Sequence, residues 1–206
     1  CPDFFKLDGK YVLLVSPLVM MPKGFEYHNG IVSLCLIGDF DKETNTFTEE
    51  QDQAIDYGID FYASQTIAAP DGRRIMIGWM QNWDTCNLRD SEHSWFGQMS
   101  LPRELSIEQG RLYQRPVREL EKLRENEVRY KNVKFEGITR MDGISGRRID
   151  MEVTLHMQEG EKTLQKFAIR FAQDDICHTA VSFRPYESLL KVDRKFSGSR
   201  RAYIHQ

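Results

Sequence analysis

Asp60-Phe-Tyr-Ala-Ser-Gln-Thr-Ile67, Ala69-Pro-Asp-Gly72 and Arg74-Ile-Met-Ile-Gly-Trp-Met80 follow one another in a chain of 206 residues, and their reading decides the fold. The outer two pieces are short runs rich in aromatic and branched apolar side chains, the composition of strands. Pro-Asp-Gly between them presets one φ near about −65° and then supplies a positive φ, so the chain reverses within a few residues. The unit is a β-hairpin.

Outward from this hairpin the same grammar repeats. Strands are expected at Tyr11–Ser16, Ile31–Ile37, Gly97–Leu101 and Glu104–Ile107, the last two flanking Pro102. Leu7-Asp-Gly-Lys10 and Glu108-Gln-Gly110 mark further reversals. Later runs, at Val128–Phe135, Ile149–His156, Lys166–Ala172, His178–Phe183 and Leu189–Asp193, extend the pattern to the end. Repeated short strands with tight turns predict an antiparallel all-β chain: a sandwich, barrel or propeller. Pro116–Glu125 breaks the pattern. Proline at a first helical position, strong helix formers, and the pairs Glu119–Lys122 and Glu121–Arg124 predict a short helix there.

That helix falls where composition shifts. Residues 1–107 carry 8 Lys/Arg and 16 Asp/Glu, a net of −8, whereas residues 108–206 carry 20 and 15, a net of +5. All three tryptophans, Trp79, Trp83 and Trp95, lie in the first half. Two β modules are therefore expected, 1–107 and 126–206, joined by a connector over 108–125. The overall charge of −3 offers no basic footprint for nucleic acid. No run of 18 apolar residues exists to span a membrane as a helix. Four cysteines, Cys1, Cys35, Cys86 and Cys177, show no metal spacing and are too few for a disulfide scaffold. Reduced thiols suit the cytoplasm, with a secreted protein as the alternative. The five histidines are scattered, without the spacing of a zinc site.

Chemistry-bearing motifs are sparse. Asp39 to Glu50 places acidic groups like a calcium loop, but Thr44 stands where that loop needs glycine and its flanks are strands, so a solvated hairpin is expected. No phosphate-binding glycine loop, nucleophile elbow or HExxH is present. Tyr57-Gly-Ile-Asp-Phe-Tyr62 and Gly78-Trp-Met-Gln-Asn-Trp83 differ from the rest. They combine aromatics, amides and carboxylates at strand ends. Aromatic faces suit the C–H faces of a sugar ring and planar polar groups suit its hydroxyl rim, although the same residues also serve as core.

These stretches resemble glycoside hydrolase family 32, the invertase, sucrose-6-phosphate hydrolase and fructanase family. Cys1-Pro-Asp-Phe-Phe5 resembles the tail of its Glu-Cys-Pro-Asp motif, and Asp56–Thr66 resembles its Asp-Phe-Tyr-Ala region. Arg74–Trp83, Trp95–Leu105 and Tyr113–Leu120 resemble three further blocks in the family's order. Beyond residue 125 the likeness is loose. The resemblance implies a partial five-bladed β-propeller, its last blades, followed by a partial β-sandwich. It implies cleavage of β-fructofuranosides such as sucrose or sucrose-6-phosphate with retention, without metal or organic cofactor. Such chemistry needs two carboxyl groups about 5–5.5 Å apart, one attacking the anomeric carbon and one protonating the leaving oxygen.

Neither group is present. The Asn-Asp-Pro-Asn motif with the nucleophile and the Arg-Asp-Pro motif are absent, and the acid/base glutamate would directly precede Cys1. The chain reads as a piece of such an enzyme, inactive alone, that supplies pocket walls. By the resemblance Tyr62 and Trp83 line the fructose pocket, Asp56 lies near the leaving-group sugar, and Cys1 and Asp3 flank the acid/base. Turn capping or strand-end hydrogen bonding is the competing assignment for Asp3, Asp56 and Asp60. A small fructoside is the expected partner, with self-association possible through open blade edges. The alternative function is a non-catalytic carbohydrate-binding or structural β protein that keeps the blade motifs.

Overall fold

A computed structural model describes residues 2–28, 30–81, 83, 86, 97–135, 137–146, 148–156 and 164–198. Among the described residues, apart from two 3-10 segments, the regular structure is all antiparallel β. The chain divides into two compact units, the first running to Leu123 and the second beginning at Arg124.

The first unit holds two four-stranded meanders. One runs in the order β1 (Asp3–Leu7), β2 (Lys10–Val15), β3 (Leu34–Asp41) and β4 (Thr46–Ala54). The other runs β5 (Tyr62–Ala68), β6 (Arg74–Trp79), β7 (Arg103–Glu108) and β8 (Arg111–Pro116). The central hairpin pairs Tyr62 with Trp79 and Ala68 with Arg74 across the Pro-Asp-Gly reversal, where Gly72 takes φ +89°. Asp39–Glu50 forms the β3–β4 hairpin. Asp41 there accepts the Glu43 backbone N–H at 2.8 Å, which closes the turn and holds the carboxyl below its usual range.

Alternation along the strands builds one core between the meanders. Val12 and Leu14 on β2, Cys35 and Ile37 on β3, Met76 on β6, Leu105 on β7 and Leu112 on β8 meet Phe5, Ile55 and Phe61. Burying each large side chain contributes roughly 1.5–3 kcal/mol. A buried polar clasp adds register. The Gln53 amide donates to the Leu112 carbonyl at 3.0 Å and accepts its N–H at 2.9 Å, tying β4 to β8.

Two expected boundaries shift. β8 occupies 111–116, inside the stretch expected as connector, because Gln53 and β7 supply its hydrogen bonds. The expected helix at 116–125 is a 3-10 segment, Arg118–Leu123, with Pro116 still in strand. Glu104 accepts the Arg118 backbone N–H at 3.1 Å and its guanidinium at 3.1 Å, while Arg73 binds Glu119 at 2.6 Å. These bonds draw the segment against β7 instead of letting an α-helix run on.

The second unit contains β9 (Phe167–Phe171), β10 (His178–Arg184) and β11 (Leu189–Phe196) in the order β11-β10-β9. Asp174 accepts the N–H groups of Ile176 and Cys177, closing the β9–β10 turn. The strands expected at Val128–Phe135 and Ile149–His156 are not strands among the described residues. Their alternating apolar side chains stay largely exposed, with Val133 at 37% and Ile149 at 47%, so no packed face rewards the extended pairing.

Candidate functional site

The first unit gathers three side-chain groups at the ends of its strands. The aromatic group comes from the β5–β6 hairpin and from Trp83 just after it. Trp83 meets Trp79 edge-on, with ring centroids 5.7 Å apart, and Tyr62 at 6.3 Å in the same manner. Edge-to-face contacts of this kind add about 0.5–1.5 kcal/mol each beyond burial. Their exposures differ sharply: Trp83 is 55% exposed and Tyr62 only 8%. Tyr62, expected to line a sugar pocket, is largely covered in this structure and packs edge-on against Trp83.

A bulge explains why Tyr62 points this way. Pairing between β5 and β6 slips between Tyr62 and Gln65, and Ala63 adopts φ +50°, a left-handed conformation costly for a residue with a Cβ. Ser16 secures it from the end of β2. Its Oγ accepts the Ala63 N–H at 3.1 Å, and its carbonyl accepts the Tyr62 hydroxyl at 2.8 Å. Glycine permits the close packing beneath: a Cβ on Gly78 would lie 2.4 Å from the buried Phe61 ring.

The second group centres on Asp56. One carboxylate oxygen accepts the Gly58 N–H at 2.8 Å and the other binds Arg103 at 2.9 Å. The Arg103 guanidinium also donates to Gln114 at 2.9 Å and lies 4.3 Å from the Phe61 ring centroid. Asp56 and Tyr62 are thus connected through Phe61, which adjoins Tyr62 in sequence. The third group centres on Asp3, whose Oδ2 accepts the Thr66 N–H at 2.7 Å and the Thr66 hydroxyl at 2.6 Å. Arg74 donates to the Thr66 hydroxyl at 2.6 Å, reaches Asp3 at 3.4 Å and stacks over Phe5 at 4.1 Å. Asp3 therefore fastens the start of β1 to β5. Cys1 lies outside the described residues.

Strand-end hydrogen bonding is what Asp3 and Asp56 do here. Ser16, Thr66, Arg74 and Arg103 are the partners that motif reading missed. Arg103 had one visible signal, a cation directly after Pro102 in a half where Asp/Glu outnumber Lys/Arg two to one. Ser16 had none, because its partners lie 46 and 47 residues away.

Residues 1–116 match the glycosyl hydrolases family 32 N-terminal domain, and residues 119–205 match the glycosyl hydrolases family 32 C terminal. The chain is 33% identical over 198 residues to a sucrose-6-phosphate hydrolase of Staphylococcus xylosus, covering 96% of this chain and 39% of that protein. It is 43% identical over 124 residues to a raffinose invertase of Escherichia coli, covering 60% and 26%. Among solved structures it is similar to a Bombyx mori GH32 β-fructofuranosidase mutant in complex with sucrose, at 26% identity and a TM-score of 0.65, covering 94% of this chain and 41% of that one. The chain thus spans well under half the length of these relatives. With both halves matched in order, the chain belongs to glycosyl hydrolase family 32.

Proposed function

We propose that this chain is part of a β-fructofuranosidase-type glycoside hydrolase that cleaves sucrose or sucrose-6-phosphate, and that its 206 residues form substrate-binding wall rather than reacting carboxylates. The observation that carries this reading is the half-exposed Trp83 ring, braced by Trp79 and Tyr62, within the residues matched to the family's N-terminal domain. An indole face held this way fits the C–H face of a furanose ring. In this reading the two four-stranded meanders are neighbouring propeller blades and β9–β11 belong to the sandwich. The relatives named for sucrose-6-phosphate hydrolysis and the neighbour solved with sucrose support a small carbohydrate substrate.

Hydrolysis with retention asks for a nucleophilic carboxylate and a second carboxyl group that gives up a proton. Asp3 and Asp56 are poor candidates for either task. Their oxygens already accept from Thr66, Gly58 and two guanidinium groups. They shape the wall by tying strands together. Asp56 with Arg103 adds a polar edge within reach of Phe61 and Tyr62, suited to the hydroxyls of a leaving sugar.

The test is glucose release from sucrose by the purified 206-residue chain, beside a longer protein that adds the Asn-Asp-Pro-Asn and Arg-Asp-Pro segments and a glutamate before Cys1. Turnover is expected only from the longer protein, since loss of a catalytic constellation costs several orders of magnitude. Turnover by the chain within about tenfold of the longer protein would overturn the assignment of wall and carboxylates.

A further inference from the structure

Asp8-Gly9, Asp71-Gly72 and Asp142-Gly143 each place an aspartate directly before a glycine. Such a pair carries an intramolecular reaction of its own. The glycine nitrogen can attack the aspartate Cγ, because no β-carbon on the following residue hinders the approach. The new N–C bond forms as one carboxyl C–O bond breaks, and the departing hydroxyl takes the amide proton away as water. A five-membered succinimide remains. Water then opens the ring at either carbonyl. One opening restores aspartate, and the other yields isoaspartate, in which the main chain runs through the former side chain. No reactant besides water is needed.

The first unit restrains its two pairs. Asp71 accepts the Arg73 backbone N–H at 3.3 Å and the Arg73 guanidinium at 2.6 Å, and these bonds hold its carboxyl below the usual range. An ionised carboxylate has no hydroxyl to release. The Gly72 N–H is also engaged, donating to the Ala69 carbonyl at 3.0 Å. Asp8 is tied across to β7, where its Oδ2 accepts the Ile107 N–H at 2.8 Å. Asn29-Gly30 could react in the same way with loss of ammonia, but the Gly30 N–H donates to the Tyr27 carbonyl at 3.1 Å.

Asp142-Gly143, in the second unit, lacks both restraints. The Asp142 side chain is 87% exposed, and its ion pair with the equally solvated Arg140 spans 3.4 Å, a contact that holds the carboxyl weakly. Among the described residues no acceptor meets the Gly143 N–H. Gly143 takes φ +78°, and Val128 Cγ1, at 3.9 Å, is the one atom within 4 Å of where its Cβ would stand. A further group assists. The Tyr130 hydroxyl donates to the Asp142 backbone carbonyl. Attack requires the Gly143 nitrogen to lose its proton, and the charge left behind spreads onto that same carbonyl oxygen. A donor already aimed at it stabilises the charge as it develops. We propose that Asp142-Gly143 is a site of spontaneous isoaspartate formation, promoted by the Tyr130 hydroxyl.

Ageing the purified 206-residue chain at neutral pH and physiological temperature tests this. Trypsin releases Met141–Arg147 as one peptide, whose isoaspartyl form separates chromatographically at unchanged mass. Isoaspartate is expected to accumulate at Asp142 well ahead of Asp8 and Asp71. Tyr130→Phe keeps the ring and removes the donor. It should slow accumulation at Asp142 by about fivefold, the scale of losing one hydrogen bond to the developing charge. The same measurements on the chain unfolded in urea separate structure from local sequence. There the three sites should react at similar rates, and Tyr130→Phe should change nothing. No isoaspartate at Asp142 in the folded chain, or equal amounts at all three sites, overturns the proposal. The same preference for Asp142 in urea overturns its structural cause. An unchanged or faster rate with Tyr130→Phe in the folded chain overturns the part given to the hydroxyl.

Discussion

Gly78→Ala is the sharpest perturbation of the aromatic wall that leaves every wall residue in place. The added methyl carbon would lie 2.4, 2.6 and 2.9 Å from three atoms of the Phe61 ring, against a normal separation of about 3.5–4.0 Å. The ring has to retreat by about an ångström. It is 3% exposed and packed in the core, with the Arg103 guanidinium against it, so it has little room. Overpacking of this kind costs about 1–3 kcal/mol. Replacing glycine also stiffens the unfolded chain, which returns about 0.4–1 kcal/mol. The net loss is therefore about 1–2 kcal/mol, a fall in melting temperature of roughly 4–8 °C for a unit of this size. Thermal unfolding followed by tryptophan fluorescence reads it directly, since Trp79 and Trp83 adjoin the site. The decisive comparison is a double-mutant cycle with Phe61→Leu. A smaller side chain at 61 removes the clash, so the pair should be less destabilised than the sum of the singles by about 1 kcal/mol or more. An unchanged melting temperature for Gly78→Ala, or strict additivity, would refute the close approach of Gly78 to Phe61 as the reason for glycine here.

Three other outcomes are expected. Ser16→Ala removes the acceptor for the Ala63 N–H and should destabilise by about 1–2 kcal/mol while loosening the Trp83 surroundings, read as faster acrylamide quenching; Ser16→Thr, which keeps the hydroxyl, should restore most of it. Arg118 holds the Glu104 carboxyl down at about 2 and Arg73 does the same for Glu119. Both folded values lie below the unfolded value of about 4.3, so the stabilisation is present above that pH and is lost as pH falls toward 2. Arg73→Ala should flatten the acid limb of a stability–pH curve, and an identical limb would contradict this. Finally, β1, β4, β5 and β8 each end a sheet with one paired side; light scattering should find species above monomer mass at micromolar concentration, and a strictly monomeric chain would count against open-edge association.

The elements legible in the sequence are those whose apolar pattern and turn chemistry agree. The β5–β6 hairpin is the clearest, because Pro-Asp-Gly fixes the reversal and the flanking runs are apolar on both sides. β4 was not legible. Thr46-Phe-Thr-Glu-Glu-Gln-Asp-Gln-Ala54 is almost wholly polar, and only Gln53 and Ala54 are buried. Its strand form is imposed by β3 and by the Gln53 clasp, both tertiary. The segment after Pro116 shows the reverse. Helix formers are present, yet Glu104 and Arg73, distant in sequence, hold the chain in a tighter 3-10 turn. At the site, Tyr62 and Trp83 were visible as motif positions. Their unequal exposure was not, since it follows from a bulge at Ala63 and from Ser16 on another sheet.

The placement of Asp3 and Asp56 bears on how the proposed wall, without reacting groups, can still matter to a reaction. Each carboxylate sits where one strand end meets another: Asp3 joins β1 to β5 through Thr66, and Asp56 joins the β4–β5 connection to Arg103 at the start of β7. Both pairs are partly buried, with side chains 13–26% exposed, so removing one partner leaves a charge poorly solvated. That makes these pairs sensitive to mutation without making them reactive. Strand ends that meet from different sheets need tying, and an aspartate facing backbone N–H groups and a guanidinium ties them. What the converging ends then present outward is Trp83, an apolar ring on a rigid backing. Catalysis by proximity depends on such rigidity, because a substrate held loosely forfeits the advantage of being held at all.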